Sequence, residues 1–222
     1  MKPLVGEAIK SVLTQTRKDI QLVVADSGVW RQRTDDTSSK MRDIHGYYRA
    51  QVEWRFTDEP PDLRQHKCPI GWVTNRAFRE GWLRGSYIAT LYDDDLWYPT
   101  LAEKMAGYLD DHPEALAVWC SQDRLHMYTD GRTEKVGEIR ADEPKRGNWD
   151  NAVDGGQVMF RREALDLIGD PWLTEDPADA VCRHSDGMFL EKLGAVAGVV
   201  PNIPEVLCAN RKTPLSAYSP TS

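Results

Sequence analysis

The chain has 222 residues, enough for one large domain, and its 41% hydrophobic and 28% charged residues form a globular mixture, not a disordered one. Its 28 Lys and Arg stand against 35 Asp and Glu, a net charge of −7, which argues against a partner gripped by its phosphate backbone; no nucleic acid is expected. The longest nearly apolar stretch, Gly194 to Pro201, falls far short of the ~20 residues of a membrane span, and Met1-Lys2-Pro3-Leu4 lacks a secretory pattern, so no transmembrane segment and a cytoplasmic location are expected.

Val5, Ala8, Ile9, Val12 and Leu13 recur at helical spacing and predict a helix from about Leu4 to Gln15. Ile20 to Ala25 reads as a buried strand stopped by Asp26-Ser27-Gly28, and the polar run from Val29 to about Tyr48 as a long loop with room for one helical turn. Gln51 to Phe56 alternates as a strand, and Ile70 to Leu83 is helical. Ser86 to Leu91 is a strand that runs straight into Asp93-Asp94-Asp95, followed by a helix opened by Pro99. Ala115 to Cys120 is a strand; Asp130-Gly131 turns a hairpin between Leu125 to Tyr128 and Thr133 to Gly137. Gln157 to Phe160 is a strand, Arg162 to Ile168 and Ser185 to Leu193 are helices, and Val196 to Val200 and Glu205 to Ala209 are the last strands, before a frayed tail at 216–222. Cys68, Cys120, Cys182 and Cys208 are far apart, with no C-x-x-C pair, and read as free thiols.

Strands alternating with helices imply an α/β fold with a mostly parallel sheet covered on both faces, whose ligands bind beyond the carboxyl ends of the strands. Asp26 and Asp93 to Asp95 lie at such ends. Three consecutive carboxylates repel one another unless a cation or donor groups offset them. Two readings stand on this chemistry alone: Asp95 as a helix-start carboxylate, and the cluster as the seat of a hard divalent cation that also holds substrate phosphates.

The run Gly85-Ser86-Tyr87-Ile88-Ala89-Thr90-Leu91-Tyr92-Asp93-Asp94-Asp95-Leu96-Trp97-Tyr98-Pro99 resembles the "GeYiaflDDDDlwlP" signature of family 2 glycosyltransferases of the GT-A fold. Further likenesses follow that family's order: Ser11 to Thr16 ("SvLaQt"), Val23 to Gly28 ("vvDdgS"), Asn75 in "aRN.g", Asp154 to Arg162 as an acceptor-side segment, and Ser185-Asp186 as the "ED" pair opening a helix. The resemblance spans about Leu4 to Arg211 and implies a Rossmann-like nucleotide-diphospho-sugar transferase domain over residues 1–215.

By that resemblance Asp94, with Asp93 or Asp95 beside it, would bind Mn²⁺ or Mg²⁺ against the donor diphosphate. Asp26 would meet the nucleotide base, Asn75 and Asp154 would contact the donor, and Asp186 would be the general base of an inverting transfer from a UDP-sugar to a saccharide or other hydroxyl acceptor. Asp154 could equally meet the acceptor, and plainer alternatives stay open: Asp26 ending a strand in an Asx-turn, Asp154 as a plain loop carboxylate, Asp186 stabilising a helix start. Two departures stand out. Position 92 is Tyr where the signature has its first acid, and the family's opening strand and "PTYNR" turn are missing before the first helix. Unpaired strand edges would then favour marginal stability or a homo-oligomer, and the rival to an enzyme is a non-catalytic GT-A-like binding or assembly domain.

Overall fold

A computed structural model of the chain describes residues 4–26, 31, 36–57, 69–147, 149, 152–173 and 185–212. The elements in chain order are α1 (Val5–Leu13), β1 (Val23–Asp26), α2 (Asp36–Tyr48), β2 (Glu53–Phe56), α3 (Pro69–Arg79), β3 (Tyr87–Ala89), β4 (Leu96–Trp97) and α4 (Leu101–Asp111). Then come β5 (Ala117–Met127), β6 (Thr133–Ile139), a 3₁₀ turn (Gly155–Gln157), β7 (Val158–Arg161), α5 (Ala164–Ile168), α6 (Ser185–Ala197) and β8 (Asn202–Lys212). Among the described residues no helix is long and apolar enough to cross a membrane.

The main sheet runs β3-β7-β5-β8-β4, with β6 paired to the far end of β5. Period-two alternation along its strands feeds two cores. Ala117, Trp119, Val158 and Phe160 face Leu165 of α5 and Phe189, Leu190 and Leu193 of α6. Val118, Cys120 and Met159 face Leu101, Met105 and Leu109 of α4 and Val12 of α1. The α/β architecture with both faces covered is as expected, but the sheet is mixed. Among the described residues β1–β2 and β5–β8 pair in parallel, while β3–β7, β5–β7, β4–β8 and β5–β6 are antiparallel. The hairpin at Gly131 (φ 88°) between β5 and β6 leaves no room for a crossover helix there.

Three local expectations change. Residues 36–48 are a helix, although their polarity suggested a loop: Ile44 covers the open space beside Gly6 of α1, and His45 meets the rings of Trp54 and Phe56 on β2. Residues 196–197 extend α6, which ends at Gly198 (φ 71°), and Val200 makes only an isolated bridge to Lys145. Leu96–Trp97 adds a short edge strand not read from the pattern. Cys120 and Cys208 are free thiols; Cys68, Cys182 and the tail lie outside the described residues.

Among the described residues β1 has β2 as its strand partner and β3 has β7, so the two sheets are not joined by a backbone ladder. Side chains tie them instead. The Gln21 amide donates to the Trp82 carbonyl (2.8 Å) and to Glu53 (2.9 Å), and accepts from the Arg84 N–H (2.7 Å) just ahead of β3. Ile20 and Leu22 pack with Tyr87, Ala89 and Leu91 against the α4 core.

Candidate active site

The end of α1 explains why the Ser11 to Thr16 run matters. The Trp97 N–H donates to Ser11 Oγ (3.2 Å), Gln15 donates to the Tyr98 carbonyl (2.8 Å) and accepts from the Ala102 N–H (3.0 Å), and the Thr16 N–H donates to the Pro99 carbonyl (2.8 Å). These bonds clamp the exit of the acidic turn that follows β3. The turn itself is closed by the Asp95 N–H donating to the Tyr92 carbonyl (3.1 Å).

Its three carboxylates are not equivalent. Asp93 is exposed and Asp94 partly so, whereas Asp95 is 2% exposed. Asp95 Oδ1 accepts the Arg211 N–H (3.0 Å), and Asn210 Nδ2 donates to Oδ1 (3.2 Å) and Oδ2 (3.3 Å). Asn210 also reaches Asp154 Oδ2 at 3.3 Å, and Arg211 Nε donates to the Asp94 carbonyl while its guanidinium pairs with Glu7 of α1. The end of β8 thus grips the acidic turn from behind. Asn210 and Arg211 carry no local sequence signal beyond two polar residues at buried positions of a strand.

Asp154 caps the 3₁₀ turn, accepting the Gly156 N–H (2.9 Å), while its own N–H donates to Gln157 Oε1 (2.9 Å); Gln157 in turn donates to the Cys120 carbonyl (2.7 Å) on β5. Asp186 opens α6, partly exposed, with its Oδ1 accepting the Gly187 N–H (2.9 Å). Asp26 ends β1, 8% exposed.

Carboxylate charge gathers at the site. Burial pushes Asp95 up to about 8, and the charge of Asp154 adds to this. Asp94 is raised by loss of solvent and by the charge of Asp93, with Lys212 and Arg211 opposing. Asp93 is raised by the protein packed around its turn and also by Asp26; Asp154 by burial and also by Asp186. Asp26, Asp93, Asp94, Asp95, Asp154 and Asp186 therefore form one chain of mutually felt charges. Asn75 is not part of it. Its fully buried amide exchanges two 2.9 Å bonds with the backbone of Leu173, one in each direction.

Among the described residues no three acidic, His or Cys side chains form a ready-made metal cage. A cation of the Mg²⁺ type needs less, because one or two carboxylates suffice when substrate phosphates complete its shell. Asp94, with Asp93, fits that requirement: both reach solvent, and both sit where added positive charge relieves repulsion. Asp95 does not, since its oxygens are buried and bonded to Asn210 and Arg211.

The sequence model of Glycosyl transferase family 2 matches residues 2–169. Protein CgeD of Bacillus subtilis (strain 168) is 27% identical over 216 residues, covering 94% of this chain and 47% of CgeD, so the chain spans about half the length of that relative. The structure of S. aureus TarS 1-349 in complex with UDP superposes with a TM-score of 0.65 at 15% identity, over 95% of this chain and 57% of that one. The TarS 1-349 complex with UDP-GlcNAc gives 0.65 at 14% identity, over 94% and 54%. The mannosyltransferase PcManGT from Pyrobaculum calidifontis, in complex with GDP-Man and Mn²⁺, gives 0.58 at 16% identity, over 95% and 53%. These likenesses establish a shared GT-A fold.

Proposed function

Because the chain belongs to glycosyl transferase family 2, we propose that it transfers a sugar, with inversion, from a nucleotide-diphosphate donor, most simply a UDP-sugar, to an acceptor hydroxyl. The observation that carries this reading is the acidic turn beyond β3, where Asp94 meets solvent next to Asp93 and feels its charge. Support comes from structures of like fold in complex with UDP, UDP-GlcNAc and GDP-Man.

Each residue then has a task. Asp26 accepts from the nucleotide base at the end of β1. Asp94, with Asp93, would hold Mn²⁺ or Mg²⁺, which neutralises the charge developing on the departing nucleoside diphosphate. Asp95, bonded to Asn210 and Arg211, keeps the turn in place, and Asp154 orients the donor sugar or acceptor from the 3₁₀ turn. Asp186, partly exposed at the start of α6, removes the acceptor proton.

One observation favours a second reading, a non-catalytic GT-A-like domain: among the described residues β1, which carries Asp26, shares no backbone ladder with the sheet that positions the acidic turn. Thermal unfolding with nucleotides separates the two. The transferase reading expects UDP with Mn²⁺ to raise the melting temperature and UDP with chelator to leave it unchanged. Equal shifts in both conditions contradict the metal assignment, and no shift with UDP or GDP contradicts the donor site.

A further inference from the structure

Tyr92 stands where the family signature carries its first acid, and its surroundings differ from those of a metal ligand. Three elements meet at its hydroxyl: the acidic turn, the 3₁₀ turn through Gly155, and the first turn of α6 through Asp186. A methyl group placed on Gly155 would lie 2.7 Å from the Tyr92 hydroxyl oxygen, 3.6 Å from its ring Cζ and 3.4 Å from Asp186 Cβ. The phenol therefore occupies the space that the missing side chain leaves, directly beside the acid that opens α6. Tyr92, Gly155 and Asp186 also line one cleft with Thr74, Phe78 and Phe189.

We propose that Tyr92 is a positioning residue for transfer, its hydroxyl seated over Gly155 and holding the Asp186 carboxylate toward the acceptor. This rests on the reading of Asp186 as the general base. The hydroxyl oxygen and Asp186 Cβ lie 2.7 and 3.4 Å from the same point over Gly155, and a phenol O–H is a donor that a carboxylate accepts. On its other side Asp186 Oδ1 accepts the Gly187 N–H (2.9 Å). In this proposal the Tyr92 hydroxyl adds a second donor, from a different element, to the one that Gly187 already gives the carboxylate.

The geometry predicts an uncommon coupling between a tyrosine and a glycine. Tyr92→Phe keeps the ring and removes only the oxygen. Gly155→Ala drives the oxygen away from its seat, but does so only while the oxygen is present, because the ring Cζ at 3.6 Å is an ordinary contact. Gly155 has no positive φ that would penalise alanine by itself.

The test is a double-mutant cycle on turnover, read as release of nucleoside diphosphate from UDP-GlcNAc or GDP-mannose with Mn²⁺, water serving as the acceptor. Each single variant should lower kcat on the order of 10–100-fold with donor KM unchanged, the loss typical of a misplaced catalytic group. The double variant should be no worse than Tyr92→Phe alone. Multiplying losses, or an unchanged kcat in Tyr92→Phe, would overturn the proposal while leaving the transferase reading intact. A chain that turns over neither donor overturns that reading and this role with it. If Gly155→Ala fails to fold with Tyr92, the structural half is read by urea unfolding: the double variant regains the stability lost by Gly155→Ala, and equal losses in both backgrounds contradict the contact.

Discussion

Asn75 on α3 and Leu173, 98 positions later, exchange two hydrogen bonds of 2.9 Å, side-chain amide to backbone carbonyl and backbone N–H to side-chain oxygen. An amide used at both ends and fully buried acts as a staple between α3 and the segment following α5. The resemblance placed Asn75 at the donor; the structure places its polar atoms on the protein's own backbone. Asn75→Ala should therefore cost about 2 kcal/mol of stability by leaving a buried N–H and C=O unpaired. UDP affinity of the folded protein, measured by calorimetry, should stay unchanged, and a large loss of affinity in a stably folded variant would return Asn75 to the donor site.

Gly194 offers a packing prediction. A Cβ there would lie 2.2 Å from Nε1 of Trp149, a fully buried indole set edge-on to Trp119. Gly194→Ala should cost about 3 kcal/mol or more by overpacking, although alanine is the better helix former. A urea midpoint equal to that of the unmutated chain would mean that Trp149 moves aside.

Glu53 joins the two sheets, and its pH dependence can be signed. Hydrogen bonding from Gln21, then Arg84 and Arg55, holds its carboxyl down at about 2 from an ordinary 4.5. A depressed acid stabilises the fold above its unfolded value and loses that contribution as pH falls toward the folded value. Glu53→Gln should lower the urea midpoint at pH 7, with the gap to the unmutated chain closing between about 4.5 and 2. A gap that is constant across this range would show that the charge does not hold the sheets together.

The acidic turn supplies a contrast between neighbours. Asp94→Asn should remove most of the Mn²⁺-dependent rise in melting temperature with UDP, because Asp94 is the partly exposed carboxylate, while Asp95→Asn should retain most of it, since Asp95 is buried against Asn210 and Arg211. The reverse order would make Asp95 the principal ligand.

Much of this was legible in the sequence, for identifiable reasons. The periodicity of Val5 to Leu13 marks α1, and the acidic run after an apolar strand marks the candidate site, because both signals are local. The helix at 36–48 was hidden because its fit depends on distant partners, Gly6 for Ile44 and two β2 aromatics for His45. Asn210 and Arg211 were missed for the same reason: they meet Asp95 from 115 and 116 positions away, and nothing in Cys208-Ala209-Asn210-Arg211 indicates where that strand end lies. The mixed sheet could not be read from alternation, which reports which face is buried and not which way a neighbour runs.

Replacing Asp186 with Asn bears most directly on the catalytic account. The change is nearly isosteric and leaves an oxygen to accept the Gly187 N–H, so folding and Mn²⁺-dependent UDP binding should persist. Release of nucleoside diphosphate from the donor sugar should fall on the order of 10²–10⁴-fold, the range typical of losing a positioned base. Unmutated turnover in Asp186→Asn, with about 1 kcal/mol lost from stability, would make Asp186 a helix-start carboxylate and contradict the account.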